Sequence, residues 1–395
     1  LPRCSSGFDR EEDLEFELNE EQQLLQYSVR RYVEKEHSFE QRRRRVGVGQ
    51  AFDRSVWRAF GDMGWLSIQL PENLGGMGQS IIEAALVAEE LARAQVLEPY
   101  VACGFLPLRI LSQFSKGRED LIVDAAAGTA VVALAHSEPQ ARGNVCDVDV
   151  RAQREGGGWR IRGRKSLVVG GPVADWFIVS ARTGDARTDE RGVSLFLVNG
   201  KEPGSQREGD RLADWSSAGD VTFDVLVGPE ALISAEGEGG SILQSAIDDA
   251  IIVLCAEAVG AMQGAIDTTS EYIKSRKQFG VPIGSFQALK HRMADMSIEL
   301  VQARSSVNRA LQSAQLGLPG KTFDASGCKA MVIRVGKWTT AQGIQLHGGY
   351  GMTEEYKVGQ YFKRVLMADA MFGRVDFHLN RYAAEMVRRA SQGSN

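Results

Sequence analysis

The apolar positions along this chain change their period twice. From residue 18 to about 127 they recur at steps of three and four: Leu25, Val29 and Val33, then Val56, Phe60 and Met63, then Ile82, Ala85 and Leu86, then a run over 105–114. Side chains so spaced share one side of a 3.6-residue helix, and that side has to be buried. A unit of four or five helices is expected there. Asn19 ahead of two glutamates marks its start, because an Asn side chain accepts from the free amides of a first turn and acids favour a helix N-terminus.

From residue 131 the period falls to two. The runs 131–136, 145–152, 159–169, 176–181, 193–198 and 221–227 are rich in β-branched and aromatic residues and separated by Gly, Asp and Glu clusters. Trp159 and Ile161 alternate with Arg160, Arg162 and Arg164, as in an antiparallel strand open to water on one face. Strands in series without intervening helices predict an antiparallel barrel or sandwich.

Beyond Pro229 the period returns to 3.6. Leu243, Ile247, Ile251, Leu254, Ala258, Met262, Ala265, Thr269 and Ile273 lie along one side of a long helix. Arg276 and Lys277 suit its C-terminus, Gly280 can stop it, and Pro282 forbids its resumption. Helices carrying Leu289 to Leu311, Cys328 to Trp338, and Leu379 onward follow, and four helices with short connections predict an antiparallel bundle. The fold expected is multidomain: a leader at 1–15, a helical domain at 16–128, a β domain at 129–236 and a four-helix bundle at 237–395.

Forty-six basic against 51 acidic side chains give a net charge of -5, which argues against a polyanion-binding role carried by overall charge. The run Arg42 to Arg45 lacks interleaved aromatics and reads as a solvated helix end rather than a nucleic-acid patch. Five cysteines with no close pair suggest neither a disulfide framework nor a zinc knuckle, and five scattered histidines without E-x-x-H suggest no metal site. Reduced thiols and the lack of an 18-residue apolar run make a cytoplasmic protein without a membrane span the expectation. His136 is expected to be a satisfied core histidine and His347 a packing residue, while His378 should face solvent or cap the last helix. Glu257, a lone acid on the long helix, should be paired inside the bundle.

Three spaced segments remain: Arg276-Lys277-Gln278-Phe279-Gly280, Phe286-Gln287, and Gln345-Leu346-His347-Gly348-Gly349-Tyr350-Gly351. In this order they resemble the acyl-CoA dehydrogenase family, and the resemblance spans nearly the whole chain, including LPENLGGMG at 70–78. It implies the same helical, β, helical architecture, an FAD cofactor, an acyl-CoA substrate, a homo- or hetero-oligomer (a dimer or α2β2) and an electron-transferring flavoprotein as acceptor. It further implies that Arg276, Gln278, Phe279 and Gln287 meet the flavin of one subunit, that Gln345, Gly348 and Gly349 reach a neighbour's, and that Ser137 bonds the isoalloxazine.

The implied reaction is α,β-dehydrogenation of an acyl-CoA thioester: a carboxylate removes the α-proton while the β-hydrogen leaves as hydride to flavin N5. Such a base needs a dry pocket and a raised pKa. The family carries this glutamate in one of two places, and this sequence lacks it in both. In the window 370–378, Gly373 or Arg374 stands where it belongs; in the long helix the matching residue is Ala250, and the adjacent Asp249 is turned by ~100°. Ile251 replaces an arginine that helps hold the thioester, and Val169 replaces a threonine near N5. This pattern resembles the small subunit of bacterial two-gene acyl-CoA dehydrogenases of the pimeloyl-CoA type, where the partner supplies the glutamate. Two alternatives stay open: a homomeric enzyme with Asp376 as a displaced base, and a flavin-binding subunit without catalysis.

Overall fold

The computed structural model describes residues 17–392 apart from 185, 190 and 319, so the expected leader at 1–15 lies outside the described residues. Helix α1 (Glu20–Glu36) opens at Asn19, whose side chain accepts from the Gln22 amide at 2.9 Å while Gln22 Oε1 accepts from the Asn19 amide at 3.1 Å. This capping box satisfies two amides that the helix cannot. Ser38 and Gln41 repeat it at α2 (Phe39–Gly47). Then come α3 (Arg54–Asp62), α4 (Ile81–Arg93), a π-helical turn at Tyr100–Phe105, α5 (Leu106–Leu111) and α6 (Glu119–Ala126). Trp57, Phe60, Leu91 and Phe105 join one hydrophobic core that continues through the rest of the molecule.

The middle of the chain forms one seven-stranded sheet: β1 (Val132–Ala135), β2 (Arg151–Glu155), β3 (Gly158–Val169), β4 (Trp176–Arg182), β5 (Val193–Asn199), β6 (Ser205–Arg211) and β7 (Ser217–Val227). The order is β1-β4-β2-β3-β7-β6, with β5 also on β4. Most pairs are antiparallel as expected, but β1 and β2 both run parallel to β4. The strand expected at 145–152 begins only at Arg151, because the Glu138 carboxylate takes the amides of Asp149 (2.8 Å) and Val150 (3.2 Å) that a ladder would need. Strand β6 was not expected. Its sequence, SQREGDR, has no apolar alternation, and it exists through pairing with β7.

The C-terminal unit holds α7 (Gly239–Ser275), the short hairpin β8 (Lys277–Gln278) and β9 (Val281–Pro282), α8 (Gln287–Gln315), α9 (Lys321–His347), α10 (Val358–Ala370) and α11 (Val375–Gln392). Helix α10 is one more than the four helices expected. Helix α7 is buried along most of its length and packs on α4, α8, α9 and α10. Small residues make that possible: a Cβ on Gly260 would stand 2.0 Å from Glu89 O on α4, and one on Gly264 would stand 2.5 Å from Tyr361 Cε1 on α10.

Two expectations are corrected here. The arginine run is only partly solvated: Arg44 is exposed and Arg43 half-buried, whereas Arg42 is 7% exposed, donates to Asp214 O and lies 4.7 Å from the Trp215 ring centre. Arg45 pairs with the buried Glu98. The turn at 212–216 and the bend near residue 98 close over α2, and burial pushes Arg42 down to about 9. His378 does not face solvent. It is fully buried, with Nε2 3.0 Å from Phe372 O and Nδ1 3.2 Å from Ser326 Oγ. A carbonyl can only accept, so Nε2 carries the proton and Nδ1 accepts from the serine. Burial, then Lys329, drives this histidine down to about 3, so it is neutral.

Candidate active site

A cavity of about 760 Å³ opens where the β domain meets the C-terminal unit. Ser137 follows β1, Leu167 lies in an irregular stretch of β3, Phe372 and Gly373 belong to the turn between α10 and α11, and Asp376 to the first turn of α11. A smaller cavity of about 30 Å³ shares His136, Ser137, Leu167 and Phe372 and extends inward between Ala102, Leu106 and Val169, giving the cleft an apolar neck. The polar rim is held from beneath. Lys165, fully buried, lies 2.6 Å from Glu138, 3.0 Å from Ser180 Oγ and 3.3 Å from His136 O. Burial would raise Glu138, but Lys165 outweighs it and holds the carboxyl below its usual range. The register of β3 on β7 slips between Lys165 and Val168, and the freed Leu167 amide donates to Asp220 Oδ1 at 3.0 Å. That bulge brings Ser166 and Leu167 to the cleft.

The two positions expected to hold a base are filled without one. Gly373 has φ +94°, and a Cβ on it would lie 2.6 Å from Phe377 Cδ1. Its neighbour Phe372 sits at φ +55°. Buried donors pin the turn, with Lys329 Nζ on Met371 O and His378 Nε2 on Phe372 O, while Asp369 accepts from the Val375 amide at 3.0 Å. Ala250 is fully buried in α7. Asp249 points away from the cleft to Arg109 Nε (3.1 Å) and Lys321 Nζ (2.8 Å). Asp376 is exposed in the first turn of α11 and lines the wide cavity, not the apolar neck. A further cavity of about 30 Å³ adjoins the neck at Ala102, Val169 and Met371 and ends on Glu257, Arg364 and Asp214. Glu257 is paired, 2.6 Å from Arg364 Nε, and Arg364 reaches Asp214 at 3.3 Å. Burial raises Glu257 even so. Arg364 was not legible as its partner, being 107 residues from it in the chain, nor was Asp214 as the second acid on that arginine.

The flavin residues expected from sequence divide into two groups. Ser137 lines the cleft, and its hydroxyl has no hydrogen-bond partner among the described residues. Arg276, Gln278, Phe279 and Gln287 are exposed at the far end of α7. There β8 and β9 are joined by Phe279 and Gly280, both at positive φ, the turn chemistry of a tight hairpin. Gln345, Gly348 and Gly349 are exposed at the same end, tied to α7 by Tyr272 stacked on His347 at 4.2 Å. Arg276 lies about 28 Å along α7 from Glu257, so one chain does not bring the two groups together. The residues fit FAD in halves. The cleft offers an apolar slot with an unpartnered hydroxyl at its edge. The far end offers a cation beside Phe279, whose ring is 90% exposed and lacks cover.

Among the described residues no group of three or more His, Cys, Asp or Glu could hold a metal ion, and no helix is long and apolar enough to cross a membrane.

Residues 19–105, 133–225 and 237–387 match, in turn, the N-terminal, middle and C-terminal domains of acyl-CoA dehydrogenase. The chain is 30% identical over 356 residues to the short-chain-specific acyl-CoA dehydrogenase of Clostridium acetobutylicum, covering 87% of this chain and 92% of that one. Butyryl-CoA dehydrogenase from Megasphaera elsdenii superposes with a TM-score of 0.88 at 26% identity, over 95% of this chain and 100% of that one. A chain of the ChsE4-ChsE5 complex from Mycobacterium tuberculosis superposes with a TM-score of 0.84 at 26% identity, over 95% and 99%.

Proposed function

The chain belongs to the acyl-CoA dehydrogenase family of FAD-dependent oxidoreductases, and from that membership we propose that it works as one subunit of a mixed assembly whose partner supplies the carboxylate base. The observation that carries this reading is Gly373: the base position has a left-handed backbone and a phenyl ring where a side chain would go. With Ala250 buried, Asp249 tied to two cations and Asp376 in the wide cavity, no carboxylate among the described residues lines the neck of this cleft where an α-proton would be taken. Two further features support an assembly. The two groups of flavin residues need a second chain to complete either half, and the similar ChsE4-ChsE5 structure is a complex of two different proteins.

In this reading bound FAD supplies the two-electron acceptor of the dehydrogenation. The chain's own residues position and exclude. Ser137 offers its hydroxyl at the cleft edge, Leu167 and Val169 wall the slot, and Ala102 and Leu106 keep water from the neck. Lys329 and His378 lock the 371–373 turn so that Phe372 covers the slot from the other side. The Arg276 hairpin and the Gln345 to Gly349 segment serve the flavin of a neighbouring chain, and an electron-transferring flavoprotein takes the electrons.

The test is the visible spectrum under anaerobic conditions before and after adding a panel of saturated acyl-CoAs. This chain purified alone should be colourless or stay yellow. Coexpressed with a neighbouring dehydrogenase gene, it should give a yellow complex that bleaches, and a Glu→Gln change at the partner's base should abolish bleaching. Bleaching by this chain alone, lost in Asp376→Asn, would overturn the proposal in favour of a homomeric enzyme.

A further inference from the structure

His136 was expected to be a satisfied core histidine, and it is not one. It is half-buried, it lines both the wide cavity and the neck, and its buried Nδ1 makes no hydrogen bond of normal geometry, although the Leu134 backbone lies near enough to the ring to raise its pKa a little. Its backbone is fixed, because the carbonyl accepts from buried Lys165. Its ring face is covered, because Phe372 stacks on it at 5.7 Å with the planes 28° apart. Phe372 is itself held in place by His378. A ring fixed at its backbone and covered on its face can turn only its nitrogen-bearing edge to a ligand. Polar atoms shut away from water are almost always paired in folded proteins, so an unpartnered one on a cleft wall points to a group that arrives with the ligand.

We propose that His136 is a further flavin-contacting residue whose imidazole hydrogen-bonds the polar edge of the bound isoalloxazine beside Ser137. The proposal rests on the reading that this cleft holds the flavin. Residues 134, 136 and the start of the next turn set the stage: alternation along the strand puts Leu134 and His136 on the same side, and both line the neck. A neutral imidazole has one N–H donor and one acceptor nitrogen, so it can serve a carbonyl or an N–H of the flavin ring. Burial, then nearby Lys165, keeps it neutral by lowering its pKa to about 4. It therefore contributes a hydrogen bond and no charge at neutral pH. Val169 cannot hydrogen-bond through its side chain, which leaves Ser137 and His136 as the polar side chains lining the neck.

The experiment uses whichever form of the protein carries flavin, alone or with its partner. FAD dissociation is followed by fluorescence, and the two-electron reduction potential is measured for the parent, His136→Leu and His136→Asn. His136→Leu should weaken FAD binding about tenfold and move the potential by about 30 mV, the equivalent of a tenfold change for a two-electron couple. His136→Asn, which keeps a donor and an acceptor, should recover most of both. Unchanged affinity and potential in His136→Leu would overturn the proposal, and so would equal losses of affinity in both variants with no change in potential, which would mark a packing role. A parent protein that takes up no FAD in any assembly would overturn the reading of the cleft and this proposal with it. A parent that binds FAD normally while the variants match it would overturn this proposal alone.

Discussion

Phe377 stands where a side chain on Gly373 would have to go: a Cβ there would lie 2.6 Å from Phe377 Cδ1, on a backbone at φ +94°. Placing a carboxylate at this position by Gly373→Glu should therefore fail. The variant is expected to lose about 1–3 kcal/mol from overpacking alone, with left-handed strain added. Its flavin should not bleach with acyl-CoA. Thermal denaturation and an anaerobic titration check both halves, and dehydrogenation by the single variant would mean that the turn can rearrange around a carboxylate.

The arginine run on α2 offers a contrast within two residues. Arg45 pairs with Glu98, whose side chain has no exposure, while the Arg44 side chain is 76% exposed beside Glu40. Removing one partner of a buried pair strands the other charge, so Arg45→Ala should cost about 3–5 kcal/mol. Arg44→Ala should stay within about 0.5 kcal/mol. Urea denaturation midpoints of the two variants would separate them, and similar midpoints would show that Glu98 finds water once Arg45 is gone.

Asp249 has a structural role. Asp249→Ala would free Arg109 and Lys321, which are partly exposed and can reach water, so the cost should be about 1–3 kcal/mol. Flavin content and the activity of the assembly should not change. A stable variant that had lost flavin bleaching would return Asp249 to candidacy as the base.

The buried His378 makes stability depend on pH in a direction that can be worked out. Its folded pKa is about 3 against 6.5 for the free side chain. Below 6.5 the unfolded chain takes up a proton that the folded chain refuses, so stability falls as pH drops, and the loss is complete near pH 3. The slope is at most about 1.4 kcal/mol per pH unit for one group. His37 and His136, both lowered to about 4, act with the same sign. Between pH 6.5 and 5 the urea midpoint should fall more steeply in the parent than in His378→Asn, and parallel slopes would show that His378 does not titrate on unfolding.

Much of the fold is legible locally. The switch from period 3.6 to 2 and back reports which side of each element must be buried, and the sheet and the long helices lie where it says. The capping box of Asn19 with Gln22 acts over a few residues and needs no distant partner, whereas α7 ends at Ser275, ahead of the stop expected at Gly280, because 277–282 pair as a hairpin. Strand β6 and helix α10 were not foreseen. For β6 the reason is plain: a polar edge strand is specified by the neighbour that pairs with it.

The site divides in the same way. That no glutamate occupies position 373 or 250 can be read from the sequence alone, as can the three spaced segments that mark the family. Which of the remaining polar groups are engaged is a matter of tertiary structure. Asp249 is tied to Arg109, Glu257 to Arg364 and Arg42 to Asp214 across 140, 107 and 172 residues of chain. His136 Nδ1 is left without a hydrogen bond of normal geometry on a cleft wall, and Phe377 closes the space beside Gly373. Periodicity and capping are properties of neighbouring residues, so the sequence by itself determined most of the elements and that no carboxylate stands at 373 or 250. Burial, ion pairing and steric closure depend on which distant segments the folded chain brings together, and only the tertiary structure decided those.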